Sequence, residues 1–303
     1  MKLFNPECLT HSKYIFFTGK GGVGKTSTAC ATAVCLADGG KKILLVSTDP
    51  ASNLQDVFNL PITNTWTKLE EVPNLVVANL DPLRAAEDYK ERVISPYRGK
   101  LPESVIASMA EQLSGSCTVE IAAFNEFSNL LTDANIQETY DHVLFDTAPT
   151  GHTLRMLQLP SAWSSFISEN THGASCLGQL SGLEDKKAIY YSAMETLSNP
   201  DKTTLVLVAR PENAPLAEAE RASCELRDLG VRNQTLILNG VLSHYDDAMS
   251  KELYDLQQSA LETMPEALRR LEHSQIPLKS YNITGVDKVR SFLNTVDSVR
   301  ESE

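Results

Sequence analysis

No stretch of this chain approaches the roughly 18 consecutive apolar residues that a membrane-spanning helix needs. The apolar runs are short, as at Tyr14–Phe17 and Ile43–Val46. Basic residues are also in deficit, with 27 Lys and Arg against 39 Asp and Glu and a formal net charge of −12. Non-specific binding to nucleic acid or anionic lipid needs a Lys/Arg excess or a dense basic stripe, so no nucleic-acid partner is expected. The six cysteines (Cys8, Cys30, Cys35, Cys117, Cys176 and Cys224) form no C-x-x-C pair. That removes zinc-ribbon and dithiol-redox chemistry and any disulfide framework. Cys30, Cys35 and Cys224 read as small buried hydrophobes. The first twelve residues lack a basic region followed by an apolar one, so no secretory signal is visible and a cytoplasmic chain is expected.

What the 303 residues do contain is an alternation of short β-branched runs with longer helical stretches. Strands are predicted at Tyr14–Thr18, Lys42–Ser47, Leu75–Asn79, Asp141–Asp146, Thr204–Ala209 and Thr235–Asn239. Helices are predicted at Lys25–Asp38, closed by Gly39-Gly40, and at Ala214–Leu229, Ala248–Leu271 and Val286–Arg300. This is the rhythm of an α/β fold with a doubly wound, mainly parallel sheet, which places ligands at the carboxyl ends of strands. Leu83–Leu131 breaks the rhythm, being mainly helical and too long for one crossover helix. The expected organisation is therefore a single domain over residues 1–303 with an inserted helical subdomain at about 83–131.

One motif carries chemistry. Gly19-Lys20-Gly21-Gly22-Val23-Gly24-Lys25-Thr26 fits G-x-x-x-x-G-K-[ST], and it follows a predicted strand and opens a predicted helix, Ser27 lying in that first turn. Its glycines let backbone N–H groups fold around phosphates, Lys25 reaches the β and γ phosphates of ATP, and the Thr26 hydroxyl is a ligand for Mg²⁺. Two acids end strands beside this loop. Asp49 lies in Ser47-Thr-Asp-Pro-Ala-Ser52, and Asp146 opens Asp146-Thr-Ala-Pro-Thr-Gly-His152, whose Pro/Gly turn suits a switch loop.

Lys20, a second lysine within the loop, resembles the deviant Walker A of nucleotide-dependent dimerising ATPases. Together with STDPAS and DTAPTGH, the loop closely resembles the ArsA-type arsenite/antimonite-transporting ATPases. The likeness continues through Gln112–Phe124, Gln158–Phe166 and Gly173–Gly178, and so covers essentially the whole chain, matching the first of that family's two halves best.

The resemblance implies an ATP hydrolase, the catalytic subunit of an arsenite or antimonite efflux pump. It implies that Asp49 positions or deprotonates the attacking water, that Asp49 also belongs with Thr26 and Asp146 to the Mg²⁺ site, Asp146 through a second shell, and that Lys20 reaches a partner's nucleotide. Asn239 and Pro277 would contact the adenine. Cys117 and Cys176 would bind the metalloid as soft thiolate donors, with His152 either a further ligand or an element coupling nucleotide state to the insert. The implied partners are a second copy of the chain or a second ATPase half, an integral-membrane arsenite carrier that holds the protein at the inner face of the membrane, and a metallochaperone. The alternative is a related ATPase that targets tail-anchored membrane proteins. That role calls for a Met- and Leu-rich groove, to which the insert contributes Met109 and few other residues, and in eukaryotic members for a C-x-x-C pair, which is absent.

Overall fold

The computed structural model describes residues 1–49, 54–62, 66–147 and 183–294. An eight-stranded sheet runs in the order β3-β4-β2-β5-β1-β6-β7-β8. Its strands are β1 (Tyr14–Thr18), β2 (Ile43–Ser47), β3 (Thr67–Lys68), β4 (Leu75–Asn79), β5 (His142–Asp146), β6 (Thr203–Ala209), β7 (Gln234–Val241) and β8 (Glu272–Pro277). All pairings are parallel except the short β3–β4 contact. Every residue of β1, β2, β5 and β6 is buried, as expected of parallel strands covered on both faces. From β1 the chain moves one way to β2 and β4, and from β6 the other way to β7 and β8, so the sheet's crevice opens beside the carboxyl end of β1.

The described residues fall into two compact units. The first comprises the sheet with helices α1 (Lys25–Asp38), α2 (Leu54–Phe58), α8 (Asn213–Asp228), α9 (Ala248–Glu262), α10 (Glu266–Arg269) and α11 (Val286–Ser291). Small side chains let α1 pack close: Ala29, Cys30, Ala31 and Ala33 are almost completely buried, in one core with Ile15, Phe17, Leu45 and Val206. The second unit holds α3 (Pro82–Ile94), α4 (Glu103–Gln112), α5 (Ser116–Thr132) and most of both α6 (Ala134–Thr139) and α7 (Leu183–Ser198). Asp81 caps α3 by accepting from the Leu83 and Arg84 amides, with Pro82 in the first turn. In this unit α3 packs on α5, and the Phe124 ring of α5 meets that of Tyr190 of α7 at a tilt of 56°, with centroids 4.9 Å apart.

Several sequence expectations need correction. The long helix expected over Ala248–Leu271 stops at Glu262, because Pro265 lacks an amide donor and restricts Met264 before it; α10 is a separate turn. Residues 272–277 then form β8, an edge strand with Ile276 as its one buried side chain, which explains its missing apolar signal. Leu3 bridges to Gln275 and covers part of that edge. The helix expected to run to Arg300 ends at Ser291, and residues 295–303 lie outside the described residues. Cys30 is buried as expected, but Cys35 and Cys224 are exposed, lying on helix faces turned from the core. Among the described residues no helix is long and apolar enough to cross a membrane.

Candidate functional site

Strand register assembles the site. Phe17 of β1 and Ser47 of β2 both pair with Asp146 of β5, so the loop after β1, the acid at the end of β5 and Asp49 just beyond β2 meet at one end of the sheet. Cross-links between the strand ends fix this: the Thr48 amide donates to the Asp146 carbonyl at 2.9 Å, and the Thr147 hydroxyl to the Phe17 carbonyl at 2.8 Å.

The loop enters α1 through Gly24, whose φ of 92° is left-handed and which gives the helix no side-chain cap. A Cβ there would also overlap the Asn239 carboxamide. The helix N-terminus therefore keeps its first N–H groups available for an anion, as phosphate binding requires. Lys25, 7% exposed, folds back so that Nζ donates to the Lys20 carbonyl at 3.2 Å. Burial pushes its ammonium below the usual lysine range, while Asp146 and Asp49 pull the other way. The Lys20 side chain itself is exposed.

Asp146 is 1% exposed, and the Thr26 hydroxyl donates to its Oδ2 at 2.8 Å. Burial raises the Asp146 pKa to about 6, against the Thr26 hydrogen bond and the Lys25 charge, with Asp49 adding to the rise. Its other oxygen, Oδ1, is buried and has no hydrogen-bond partner among the described residues. An orphaned carboxylate oxygen beside a hydroxyl, with a second acid in electrostatic range, is a donor set suited to a hydrated hard cation such as Mg²⁺.

A cleft of about 140 Å³ opens beside the loop, lined by Gly22, Val23, Gly24 and Ser27, by Asn239 and Gly240, and by Pro277 and Tyr281 among others. The structure thus brings Asn239 and Pro277 together with the loop. Arg210 and Lys279 also line the cleft, and sequence reasoning missed both along with Tyr281. Arg210 directly follows β6, and its position at a carboxyl strand end was a usable signal. Lys279 and Tyr281 carry none. Cys117 sits on α5, while its side chain and all of His152 and Cys176 lie outside the described residues.

The chain matches the anion-transporting ATPase family over residues 12–297. It is 50% identical over 285 residues to an arsenical pump-driving ATPase of Acidiphilium multivorum, covering 93% of this chain and 49% of that protein. An arsenical pump-driving ATPase of Escherichia coli is likewise 50% identical, over 284 residues, with 93% of this chain and 49% of that protein covered. The ATPase GET3 of Debaryomyces hansenii is 31% identical over 309 residues, covering 92% of this chain and 88% of that protein. The chain spans about half the length of the arsenical pump-driving ATPases it matches.

Proposed function

Since this chain belongs to the anion-transporting ATPase family, we propose that it is an ATP-hydrolysing unit stimulated by arsenite or antimonite, coupled to metalloid extrusion through a membrane carrier. The observation that carries the reading is the cluster of Lys25, Thr26 and buried Asp146 at the mouth of the glycine-rich loop. Identity of 50% to arsenical pump-driving ATPases, against 31% to ATPase GET3, supports the metalloid branch.

In this reading the backbone of Gly19, Gly21, Gly22, Val23 and Gly24 receives the phosphates, with Ser27 in the first turn of α1. Lys25 exchanges its bond to the Lys20 carbonyl for phosphate oxygens. The Thr26 hydroxyl and the buried Asp146 carboxylate would hold a hydrated Mg²⁺, Asp146 through water rather than directly. The cation, when bound, neutralises charge on the phosphates. Asp49 orients the attacking water or accepts its proton. The exposed Lys20 reaches into the site of a facing copy, or of a second ATPase half, to stabilise charge on the transferring phosphoryl. Asn239 and Pro277 hold the adenine.

Cys117 and Cys176, with His152 as ligand or coupling residue, bind the metalloid more tightly in the closed pair, and binding thereby shifts the population toward hydrolysis. The chain is one ATPase domain whose helical insert, at about 83–131, carries part of that site. It works in the cytoplasm at the inner membrane face, held by the carrier, with a metallochaperone delivering the metalloid. The test is steady-state ATPase activity across protein concentration, with and without arsenite or antimonite. Stimulation that rises with concentration and disappears in Cys117→Ala supports the reading. An unresponsive rate, with capture and nucleotide-dependent release of tail-anchored proteins, would replace it with the targeting alternative.

A further inference from the structure

Asn239 does more than line the cleft. Its Nδ2 donates to the Val23 carbonyl at 2.8 Å, across 216 residues of sequence, and its carboxamide lies against Gly24. The Val23–Gly24 peptide leads into Gly24, the residue that precedes α1. Its orientation decides where the Gly24 N–H points, and glycine at a φ of 92° leaves that orientation weakly determined by the chain itself.

The way Asn239 is presented is also built. The β7–β8 register shifts between Asn239 and Val241, and Gly240 takes a φ of 78°. Gln257 of α9, 1% exposed, fills the resulting irregularity: its Nε2 donates to the Gly240 carbonyl at 3.0 Å and its Oε1 accepts from the Leu242 amide at 2.9 Å. A buried side chain satisfies both backbone groups that the bulge frees, so the carboxamide of Asn239 is held toward the loop.

We propose that Asn239 is a positioning residue for the phosphate loop, fixing the Val23–Gly24 peptide so that its N–H faces the nucleotide phosphates whether or not a base is bound. This rests on the reading of the loop as an ATP site. A residue that served only the base would affect nucleosides alone. A latch on Val23 predicts lost affinity for a ligand that has phosphates and no base.

The measurement is calorimetric titration of the full chain with Mg·tripolyphosphate and with Mg·ADP, for the wild type, Asn239→Asp and Asn239→Ser. Aspartate keeps the shape but replaces the donor with an acceptor facing the Val23 carbonyl; serine is too short to reach it. One lost hydrogen bond to a constrained carbonyl corresponds to about tenfold in affinity. We expect at least that loss on tripolyphosphate in both variants. A loss under about threefold on tripolyphosphate overturns the proposal, even if ADP binding falls. So does a lowered ligand-free melting temperature with both affinities unchanged. Should Asn239→Asp fail to fold, Asn239→Ser decides alone. If the wild type binds neither ligand, the ATP-site reading itself fails, an outcome distinct from failure of the latch.

Discussion

Replacing Asp146 with asparagine separates what the site costs from what it does. The Asp146 carboxyl is raised from 3.8 to about 6, chiefly by burial. An acid whose folded pKa exceeds its unfolded one keeps its proton longer in the folded state, so folding stability falls as pH rises between those two values. The loss is complete above the folded value and absent below the unfolded one. A shift of about two units corresponds to about 3 kcal/mol of destabilisation at neutral pH. Asparagine carries no charge at any pH and still offers an oxygen to the Thr26 hydroxyl, at a cost of about 1 kcal/mol for a weaker bond. Asp146→Asn without ligand should therefore unfold in urea about 2 kcal/mol later than the wild type at pH 7.5, and slightly earlier at pH 3.5. Because other groups titrate in both proteins, the quantity to plot is the difference between the two stabilities against pH. It should climb by about 3 kcal/mol from pH 4 to pH 7. A flat difference across that window would refute the account of Asp146 as a carboxylate ionised against burial.

Three further outcomes test separate parts of the structure. Lys20→Ala, at an exposed loop position, should leave stability within about 0.5 kcal/mol of wild type while saturating-ATP hydrolysis falls by at least about a hundredfold; a retained rate removes the cross-site role proposed for it. Gln257→Leu strands the buried Gly240 carbonyl and the half-buried Leu242 amide, and should cost about 2–3 kcal/mol in urea unfolding. Arg290→Ala removes a two-point ion pair to Asp38 that is more than a third exposed on both sides, and should cost no more than about 1 kcal/mol, read as a small midpoint shift in the same assay.

The parts of the fold legible in the sequence are those written locally. β1 is five consecutive buried residues, α1 begins at the glycines of the loop, and Asp146 ends an apolar run of residues that are all buried. β8 is the opposite case. Glu272, His273, Ser274 and Gln275 have no apolar alternation, and the strand exists because β7 offers a free edge for parallel pairing. The break before α10 was written at Pro265 but masked by apolar residues continuing on both sides of it. In the site, the loop, Asp49 and Asp146 follow from motif and strand ends, whereas Tyr281 joins the cleft only because distant segments close on it.

The same division explains why the bond between Asn239 and Val23 was out of reach. A glycine-rich loop announces that the backbone can approach phosphates, yet the freedom that permits approach also permits other peptide orientations. Local sequence cannot remove that freedom, since any side chain at Gly24 would meet both the left-handed φ and the Asn239 carboxamide. The constraint has to arrive from elsewhere in the fold, and here it arrives through a bulge held by a buried glutamine. On the proposed reading Asp146 faces the same conflict, because a carboxylate ready for a cation has to be kept from the partners that would otherwise satisfy it. At both positions, ligand readiness and local consistency pull in opposite directions, and the rigid parallel sheet beneath supplies the stability that lets readiness prevail.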